Sequence, residues 1–359
     1  MAEDDDGESY YYRGAVKNNY VSFAGFIWKI IRRNGDGSVR MIYSGKSASD
    51  TGDAVIIDNS QFNSKYWDPT YVGYKYNENF SLHENNGTTE YNWFTNTKQY
   101  DYGTGYTFND STRKFTLTGD IKQLTWTDNH DEIVNNQLFS CLNTGCNVIY
   151  KVTGYVSTTQ MKVQPISYSS NSLVEAQANT TDSPIKTKLD SWYQSNLTNY
   201  TSYLADTTFC NDRSMVTGSG YLTTPSTVYS AYRRIQDNKA PSLKCSQEND
   251  SFKVSSTSAK LNYPVGLILA DEVALAGGRT GLANSNYYLY NGKYFWTLSP
   301  SYFYFSYSYA YVWNVMSSGG LDQWHNVTYS FGVRPVINLK QNVTIAKGDG
   351  SALNPFSIG

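Results

Sequence analysis

The sequence has no excess of either charge and no long apolar segment. Among its 359 residues, 29 Lys and Arg face 31 Asp and Glu, which gives a formal net charge of -2, and the basic residues do not cluster beyond pairs. Nucleic acids and anionic membranes bind basic surfaces, so the composition predicts no nucleic-acid partner. The longest apolar run, VGLILADEVALAG, contains Asp271 and Glu272. Because this run is too short and too charged to span a bilayer, we expect no membrane insertion.

Signatures of catalytic and metal centres are missing as well. The sequence contains no GxSxG elbow, no GxxxxGK(S/T) loop and no HExxH helix, which mark nucleophilic, phosphate-binding and zinc sites. Its 3 histidines, His83, His130 and His325, lie in polar, loop-like contexts typical of solvent-exposed histidine. The GDG tripeptides in NGDGSV and KGDGSA lack the alternating acidic ligands of a calcium loop. We therefore predict a non-enzymatic protein with no catalytic residue, no metal and no cofactor. An enzyme would need carboxylates that converge in a pocket.

Cysteine is scarce, and its spacing does not favour a metal site. The 4 cysteines are Cys141, Cys146, Cys210 and Cys245. No pair has the CxxC spacing of a zinc knuckle, and no histidine lies near them. The sequence favours two disulfides, Cys141 with Cys146 in a tight hairpin and Cys210 with Cys245 across a longer loop, which would require an oxidising compartment. Four buried free thiols are the alternative.

What the chain does contain is a polar and aromatic mixture. It has 33 Tyr and 8 Trp with abundant Asn, Ser and Thr, whereas the strong helix formers are scarce over most of its length. Tyr, Thr, Val and Trp suit a pleated, half-buried surface, so the composition predicts a β-rich extracellular protein. The acidic residues 1–14 are expected to form a disordered tail. The Met-Ala start before them predicts that a natural leader or anchor has been removed.

Local patterns predict a hairpin and an irregular region. In residues 20–45, two apolar runs flank Asn34-Gly-Asp-Gly37, a tetrad that tolerates positive φ and predicts a β-hairpin. Residues 58–132 are rich in Asn, Tyr, Thr and Gly and predict an elaborated loop region. The segment that follows alternates well enough for two or three strands.

Three helices are predicted in the second half of the chain. Over 183–200, Ser183 is a helix cap, Pro184 takes the first helical position and the apolar residues share a face. Shorter helices are predicted over 225–236 and over 270–278, the last ended by a glycine pair. Adjacent Asp271 and Glu272 would point about 100° apart on that helix, so we expect surface or capping roles for them.

The segment SPSYFYFSYSYAYVWNVMSSGG, residues 299–320, has an aromatic residue at about every second place. Read as one strand, residues 302–311 would place Phe303, Phe305, Tyr307, Tyr309 and Tyr311 on one face. A Tyr and Ser surface offers rigid amphipathic contact area at low entropic cost, as in antibody binding loops. The segment therefore predicts a binding surface, and the alternative is an edge strand that packs its aromatic rings inward.

A family resemblance is carried by several segments together. They are YVSFAGFIWKIIRRNGDGSVRMIYSG, IKTKLDSWYQSNL, FCNDRS, GLILADEVALAGG and the run from FWTLSPSYF to GVRPVINLK. These resemble a family of uncharacterised Gram-positive bacterial surface proteins, common in gut Firmicutes, that have a C-type-lectin-like domain. The resemblance implies an α+β fold, C-type-lectin-like and distantly similar to the formylglycine-generating-enzyme fold, over residues 15–345. It implies a β-rich insertion over 76–180, a C-terminal extension over 346–359, and pairing of a first strand near 28–33 with a last strand over 332–339.

Two activities of that fold are not implied. Formylglycine-generating relatives carry a catalytic cysteine late in the domain, whereas this chain has no cysteine after Cys245. Calcium-dependent lectins use motifs such as EPN or WND, whereas here Trp313-Asn314 is followed by Val315.

The C-terminal segment also resembles the variable protein of a diversity-generating retroelement. Such proteins use the same fold and randomise adenine-rich codons near the C-terminus. Replacing adenines in an AAC or AAT codon reaches Tyr, Ser, Phe, His, Asp and Thr, which dominate this segment. Trp324 cannot arise in this way, and ordinary variation among paralogues is the alternative.

The sequence thus predicts a secreted or cell-surface protein that binds a protein, or alternatively a glycan, on a host or microbial surface. A self-assembling surface or pilus subunit and a glycan-binding adhesin are the other readings. The predicted framework residues are Phe303, Val312, Trp313, Val315, Leu321 and Val327. The predicted ligand-binding residues are Tyr302, Tyr304, Phe305, Tyr307, Tyr309, Tyr311, Asn314, Asp322, Trp324, His325, Tyr329 and Phe331.

Overall fold

The structure is a computed structural model. It describes residues 1–66, 69–77, 177–217, 227–304 and 309–358 in full, and for Ser226 and the strands between residues 83 and 167 it describes the backbone alone. The strands, in chain order, are β1 (Ala2–Asp4), β2 (Gly7–Tyr11), β3 (Tyr20–Phe23), β4 (Phe26–Arg33), β5 (Val39–Tyr43), β6 (Asp58–Ser60), β7 (Lys75–Tyr76), β8 (His83–Glu84), β9 (Thr89–Asn92), β10 (Tyr106–Asn109), β11 (Lys114–Leu117), β12 (Leu124–Thr125), β13 (Leu138–Ser140), β14 (Val148–Ser157), β15 (Gln160–Ser167), β16 (Thr181–Asp182), β17 (Phe209–Cys210), β18 (Ser226–Val228), β19 (Ser251–Phe252), β20 (Phe295–Tyr304), β21 (Tyr309–Val315), β22 (Leu321–Asp322), β23 (Phe331–Val333), β24 (Val336–Leu339), β25 (Ile345–Lys347) and β26 (Phe356–Ile358).

Helices are few and short in the described part of the chain. They are α1 (Pro184–Asn196), α2 (Ser230–Tyr232), which continues into a π-helical turn at Arg233–Asp237, and α3 (Ala270–Ala276). Short 3₁₀ turns lie at Gly52–Val55, Pro69–Val72, Thr198–Tyr203 and Glu248–Asp250. The chain is a mixed α/β protein that is rich in strands.

Both ends of the described chain lie in one eight-stranded sheet, with the order β1-β2-β4-β3-β26-β25 and with β5 and β24 continuing from β4. One edge of β4 pairs with β5, and the other edge pairs with β3 and then with β2. The predicted hairpin is confirmed as β4 and β5. Asn34 N–H donates to Ser38 O at 2.8 Å, and Gly37 takes a φ of 83°, a region that glycine enters without steric cost.

The strand pairing that the resemblance implies is wrong. β24 pairs with β5, not with β4. The reason is the tight turn after β4, which folds β5 back onto that edge of β4 and leaves only the outer edge of β5 for the late strand.

The chain ends are more ordered than expected. Residues 1–14 are not a disordered tail, since β1 and β2 form a hairpin and β2 extends the sheet beside β4. The carboxylate of Asp4 is buried against Arg32, with Oδ2 at 2.7 Å from Nη1, and this ion pair fixes a segment whose acidic composition favours disorder. At the other end, β26 pairs in parallel with β3 and antiparallel with β25, so the two ends of the expected C-terminal extension belong to the sheet.

The predicted insertion over 76–180 leaves and rejoins the domain at paired strands, because β7 and β16 are antiparallel neighbours. Between them the backbone forms a three-stranded sheet, β10-β11-β9, and a five-stranded sheet that contains β12, β13, β14, β15 and β8. Strands β13, β14 and β15 agree with the alternation predicted after residue 132, whereas β8 to β12 lie where the sequence predicts an elaborated loop region.

The predicted helices form, with different lengths. In α1, Ser183 Oγ accepts a hydrogen bond from Lys186 N–H at 3.3 Å, and Ile185, Leu189 and Tyr193 are buried on one face. The prediction over 225–236 is only partly right, since β18 takes its start and α2 with the π-helical turn takes the rest. The predicted third helix is confirmed as α3, which ends at a glycine of φ 124°.

The core joins the eight-stranded sheet to a second sheet, whose order is β22-β21-β20-β23-β6 with β18 beside β20. Trp28 of the first sheet and Trp296 and Trp313 of the second are all fully buried and belong to one hydrophobic cluster. Burial of such large side chains stabilises the fold by about 1.5–3 kcal/mol each.

The expected surface role of Asp271 and Glu272 is wrong, because both side chains are buried. Glu272 Oε1 accepts from Arg32 Nε at 2.9 Å and lies 2.7 Å from Arg40 Nε in a less well aligned contact. Glu272 Oε2 accepts from the N–H of the residue before α3 at 2.9 Å, so its capping role is right. Asp271 pairs with Arg234, Oδ1 to Nε at 3.0 Å. The two carboxylates diverge on the helix and meet separate arginines, which are buried for Glu272 and half-buried for Asp271.

Candidate functional site

The aromatic segment is a hairpin rather than one strand. β20 ends at Tyr304 and its antiparallel partner β21 begins at Tyr309, with Tyr302 opposite Tyr311 and Phe303 opposite Ala310. Because the chain reverses direction between them, the alternation read across 302–311 assigns faces wrongly. Phe303 points inward, and Tyr309 and Tyr311 do not share its face. Phe305 and Tyr307 lie outside the described residues.

The other face of this hairpin carries a group of touching rings. Tyr302 contacts Tyr311 (ring centroids 4.9 Å apart), Trp324 (5.4 Å) and Tyr232 (5.5 Å). Tyr309 contacts Tyr66 at 5.2 Å. Most of these pairs are edge-to-face, the arrangement that the aromatic quadrupole favours.

A second group of rings surrounds His325, the residue that follows Trp324 in the chain. The His325 ring lies 4.9 Å from Tyr329 and 5.0 Å from Phe331, and Phe331 stacks on Tyr294 at 4.8 Å. The two groups are linked through Trp324 and His325, which are adjacent in the chain and both bond to Asp322 Oδ2. We refer to their combined rings as the aromatic patch: Tyr66, Tyr232, Tyr294, Tyr302, Tyr304, Tyr309, Tyr311, Trp324, His325, Tyr329 and Phe331.

Exposure within the aromatic patch is graded. Trp324 is 59% exposed and Tyr329 is 48% exposed. The half-buried members at its surface include Tyr304, Tyr309 and His325. Large aromatic side chains that are exposed together on one loop are uncommon on a surface that binds nothing.

Four predicted binding residues are buried. Tyr302 and Tyr311 are each 5% exposed and form the floor beneath Trp324. Asn314 and Asp322 are buried where β21 pairs with β22. The polar side chains of Asn314 and Asp322 predicted contact with a ligand, but they bond to each other instead. All four residues therefore lie beneath the binding surface and support it.

Asp322 fixes the loop that carries the exposed rings. Its Oδ2 accepts hydrogen bonds from His325 Nδ1 (2.6 Å), Asn314 Nδ2 (3.1 Å) and Trp324 N–H (3.1 Å). Burial raises the pKa of Asp322, but these three hydrogen bonds outweigh it and hold the pKa below the usual range. An ionised carboxylate with several donors is a strong anchor, so Trp324 and His325 are held rigidly.

The framework prediction is confirmed. All six residues are buried, at 0% or 1% exposure: Phe303, Val312, Trp313, Val315, Leu321 and Val327. Val327 N–H also donates to Ala310 O at 3.0 Å, which lays the aromatic loop against β21.

Sequence reasoning missed three members of the aromatic patch, Tyr66, Tyr232 and Tyr294. Each lies in a segment without aromatic periodicity, and each joins the patch only through tertiary contacts. No local sequence signal marks them.

The two predicted disulfides differ in outcome. Cys210 and Cys245 form a disulfide with an S–S distance of 2.02 Å, as predicted. Cys141 and Cys146 lie outside the described residues.

Within the described residues, no group of three or more His, Cys, Asp or Glu side chains could hold a metal ion. In the same part of the chain, no helix is long and apolar enough to cross a membrane.

The fold and the site together define a strand-rich mixed α/β protein with a rigid aromatic patch on its surface. No family model, no curated protein and no solved structure matches the chain.

Proposed function

We propose that this chain is an extracellular, non-enzymatic binding protein whose ligand contacts the aromatic patch. The observation that carries the proposal is the joint exposure of Trp324 and Tyr329 on a loop that Asp322 holds rigid. Trp and Tyr are the residues that most often dominate binding energy at interfaces. Because the loop is ordered before a ligand arrives, binding costs less conformational entropy.

A protein ligand is the favoured partner. The patch combines broad ring surfaces with hydroxyl groups, a composition that suits protein contact by rigid amphipathic anchors. The Cys210–Cys245 disulfide supports an oxidising compartment, where such bonds persist. A ligand on a host or microbial surface fits that location.

We also propose that the fold is C-type-lectin-like. This assignment is supported by chain ends that share one sheet and by a candidate surface on a late hairpin and loop.

Diversification by a retroelement is also part of the proposal, in a narrower form than the sequence suggests. Variation is expected at surface positions such as the exposed Tyr329 and the half-buried Tyr304 and Tyr309. It is not expected at Asn314 and Asp322, whose buried hydrogen bonds would be left unpaired by most replacements. Sequencing the gene from many cells of one population tests this, since equal variation at buried and exposed positions would contradict it.

The binding proposal is tested with a double variant, Trp324→Ala/Tyr329→Ala. Peptides are selected against the unaltered protein from a phage-displayed random library, and glycans are screened on an array. Ligands found in this way should bind the double variant at least about tenfold more weakly, since interface hot spots contribute about 2 kcal/mol or more. Unchanged binding to the variant would refute the aromatic patch as the site.

Tyr10→Ala is the matched control. Tyr10 is 48% exposed, the same fraction as Tyr329, but it lies in the N-terminal hairpin. Its replacement should leave binding unchanged. All three proteins should melt within about 3 °C of one another, since exposed side chains contribute little to stability.

Self-assembly is the second candidate function, because exposed tyrosine and tryptophan also fit a second copy of the chain. Sedimentation velocity over a range of concentrations separates the two. Association that grows with concentration and is lost in the double variant would favour a self-assembling subunit over a receptor for another molecule.

A further inference from the structure

A cavity of about 290 Å³ lies at the C-terminal end of α3 and shares no residue with the aromatic patch. Its volume is close to the lower limit for small-molecule sites. Its walls come from three separate parts of the chain: the segment after β2, the π-helical turn with the residues that follow it, and the last turn of α3 with the segment after it. The lining includes three cations, Arg13, Lys239 and Arg279, and three larger apolar side chains, Ile235, Pro241 and Leu282.

The two arginines stand on backbone that is fixed to neighbouring elements. Gly14, the residue after Arg13, donates its N–H to Ala276 O at the end of α3 (2.9 Å). Arg279 O accepts from Leu321 N–H in β22 (2.8 Å). The fold therefore positions both side chains at the cavity, although they remain exposed to solvent.

Lys239 is positioned by its own backbone. It has a φ of 52°, in the left-handed region that non-glycine residues seldom adopt. Its Nζ donates to Gln236 O at 2.6 Å. An ammonium group has three N–H donors, so two remain for another acceptor.

No carboxylate from the described part of the chain lines the cavity. Among the described residues, Arg13 and Arg279 make no ion pair, and the neighbouring carboxylates of Asp237 and Asp271 are each paired with another arginine. Three like charges around one cavity repel one another when it is empty, and an anion between them would relieve that repulsion.

We propose that this cavity binds a small organic anion, in which a carboxylate or phosphate is attached to an apolar body. The oxyanion would lie among Arg13, Lys239 and Arg279. Arginine pairs with carboxylate and phosphate through two parallel hydrogen bonds, which adds geometric specificity. The apolar body would pack against the three apolar side chains of the lining. This site is independent of the proposed surface function.

The test uses isothermal titration calorimetry at low salt with four probes. Benzoate and phenyl phosphate carry the oxyanion on an apolar body, benzamide is the neutral counterpart of benzoate, and inorganic phosphate lacks the apolar body. We expect benzoate or phenyl phosphate to bind, inorganic phosphate to bind more weakly, and benzamide not to bind. The stronger of the first two probes identifies the oxyanion. Benzamide binding as tightly as benzoate, or no binding by either anion at millimolar concentration, would overturn the proposal.

A pair of double variants ties the binding to the cavity. Arg13→Gln/Arg279→Gln should lose at least about tenfold in affinity, since charge-assisted hydrogen bonds are the strong ones. Arg33→Gln/Lys347→Gln removes the same charge from two exposed residues that do not line the cavity and should bind as the unaltered protein does. Equal loss in both double variants would show an unspecific charge effect and refute the site. Because the replaced arginines are exposed and unpaired, both variants should fold, which melting curves verify.

Discussion

At the scale of single residues, Tyr302 lies beneath Trp324 in the aromatic patch, and its buried hydroxyl group makes no hydrogen bond to a described residue. Burial, followed by the neighbouring ring of Tyr311, raises the pKa of Tyr302 well above the ordinary tyrosine value. A buried unsatisfied hydroxyl costs about 1–3 kcal/mol, so Tyr302 serves the patch through its ring alone.

We therefore predict that Tyr302→Phe keeps or increases stability, by up to about 1–2 kcal/mol in the free energy of unfolding. Urea denaturation of both proteins measures this change in the free energy of unfolding. Tyr193→Phe is the matched control, because the Tyr193 hydroxyl bonds to Thr201 Oγ1 at 2.8 Å and its removal should destabilise by about 1 kcal/mol. Destabilisation of both variants by the same amount would contradict the prediction.

Lys29 provides a pH test at the same scale. Burial and then the nearby charge of Arg334 lower the pKa of Lys29 from 10.5 to about 8, while its Nζ donates to Tyr288 O. Between these two values the unfolded chain holds a proton on Lys29 that the folded chain has released. Stability from this residue therefore rises with pH over that window and is constant below it.

The test compares the free energy of unfolding of the unaltered protein with that of the Lys29→Met variant. From pH 8 to pH 10, the unaltered protein should gain stability relative to the variant, on the order of 1–3 kcal/mol. Chemical denaturation at several pH values measures the difference, which cancels tyrosine ionisation common to both proteins. A difference that does not rise between pH 8 and pH 10 would show that Lys29 stays charged in the folded state over that range.

At the scale of elements, the Cys210–Cys245 disulfide closes a loop whose ends are 35 residues apart in sequence. Such a loop loses entropy in the unfolded chain, and for this length the chain-entropy relation gives about 4 kcal/mol. We predict that Cys210→Ser/Cys245→Ser lowers the free energy of unfolding by about 2–4 kcal/mol, measured by urea denaturation. A loss below about 0.5 kcal/mol would mean that this loop is constrained without the bond.

The same scale shows where local patterns succeed and where they fail. The turn tetrad at Asn34–Gly37 and the cap at Ser183 act within a few residues, so the hairpin and α1 follow from sequence. The alternation over 302–311 runs unbroken across a chain reversal. A side-chain period of two does not reveal a turn when the residues in it have the same composition as the strands.

At the scale of the whole molecule, Glu272 links distant segments through buried ion pairs. It contacts Arg32 of β4 and Arg40 of β5 from the start of α3, and Arg32 also pairs with Asp4 in β1. Burial raises the pKa of Glu272, but the charges of Arg40 and Arg32 outweigh it and lower the pKa overall. The network thereby ties the first residues of the chain to the core.

Removing the negative charge of Glu272 should strongly destabilise the folded protein. Glu272→Gln leaves two buried guanidinium groups with less counter-charge, so we predict a loss of about 3–5 kcal/mol in the free energy of unfolding. Glu3→Gln is the control, because Glu3 pairs with Lys244 on the surface and exposed pairs contribute little to stability. Thermal and urea unfolding of both variants measures this. Equal losses would contradict the buried network as the link.

The sequence by itself determined the strand-rich character, the early hairpin, the first and third helices, the Cys210–Cys245 pair and the buried framework beneath the aromatic segment. Each depends on composition, on local spacing or on the apolar character of a residue. Only the tertiary structure decided that Asp4 and Glu272 are buried with Arg32. It also decided that Asn314 and Asp322 are buried beneath the binding surface and not exposed on it. Finally, it brought Tyr66, Tyr232 and Tyr294 into the aromatic patch. The physical reason is that burial of a polar or aromatic side chain depends on partners far away in sequence, and local periodicity carries no information about them.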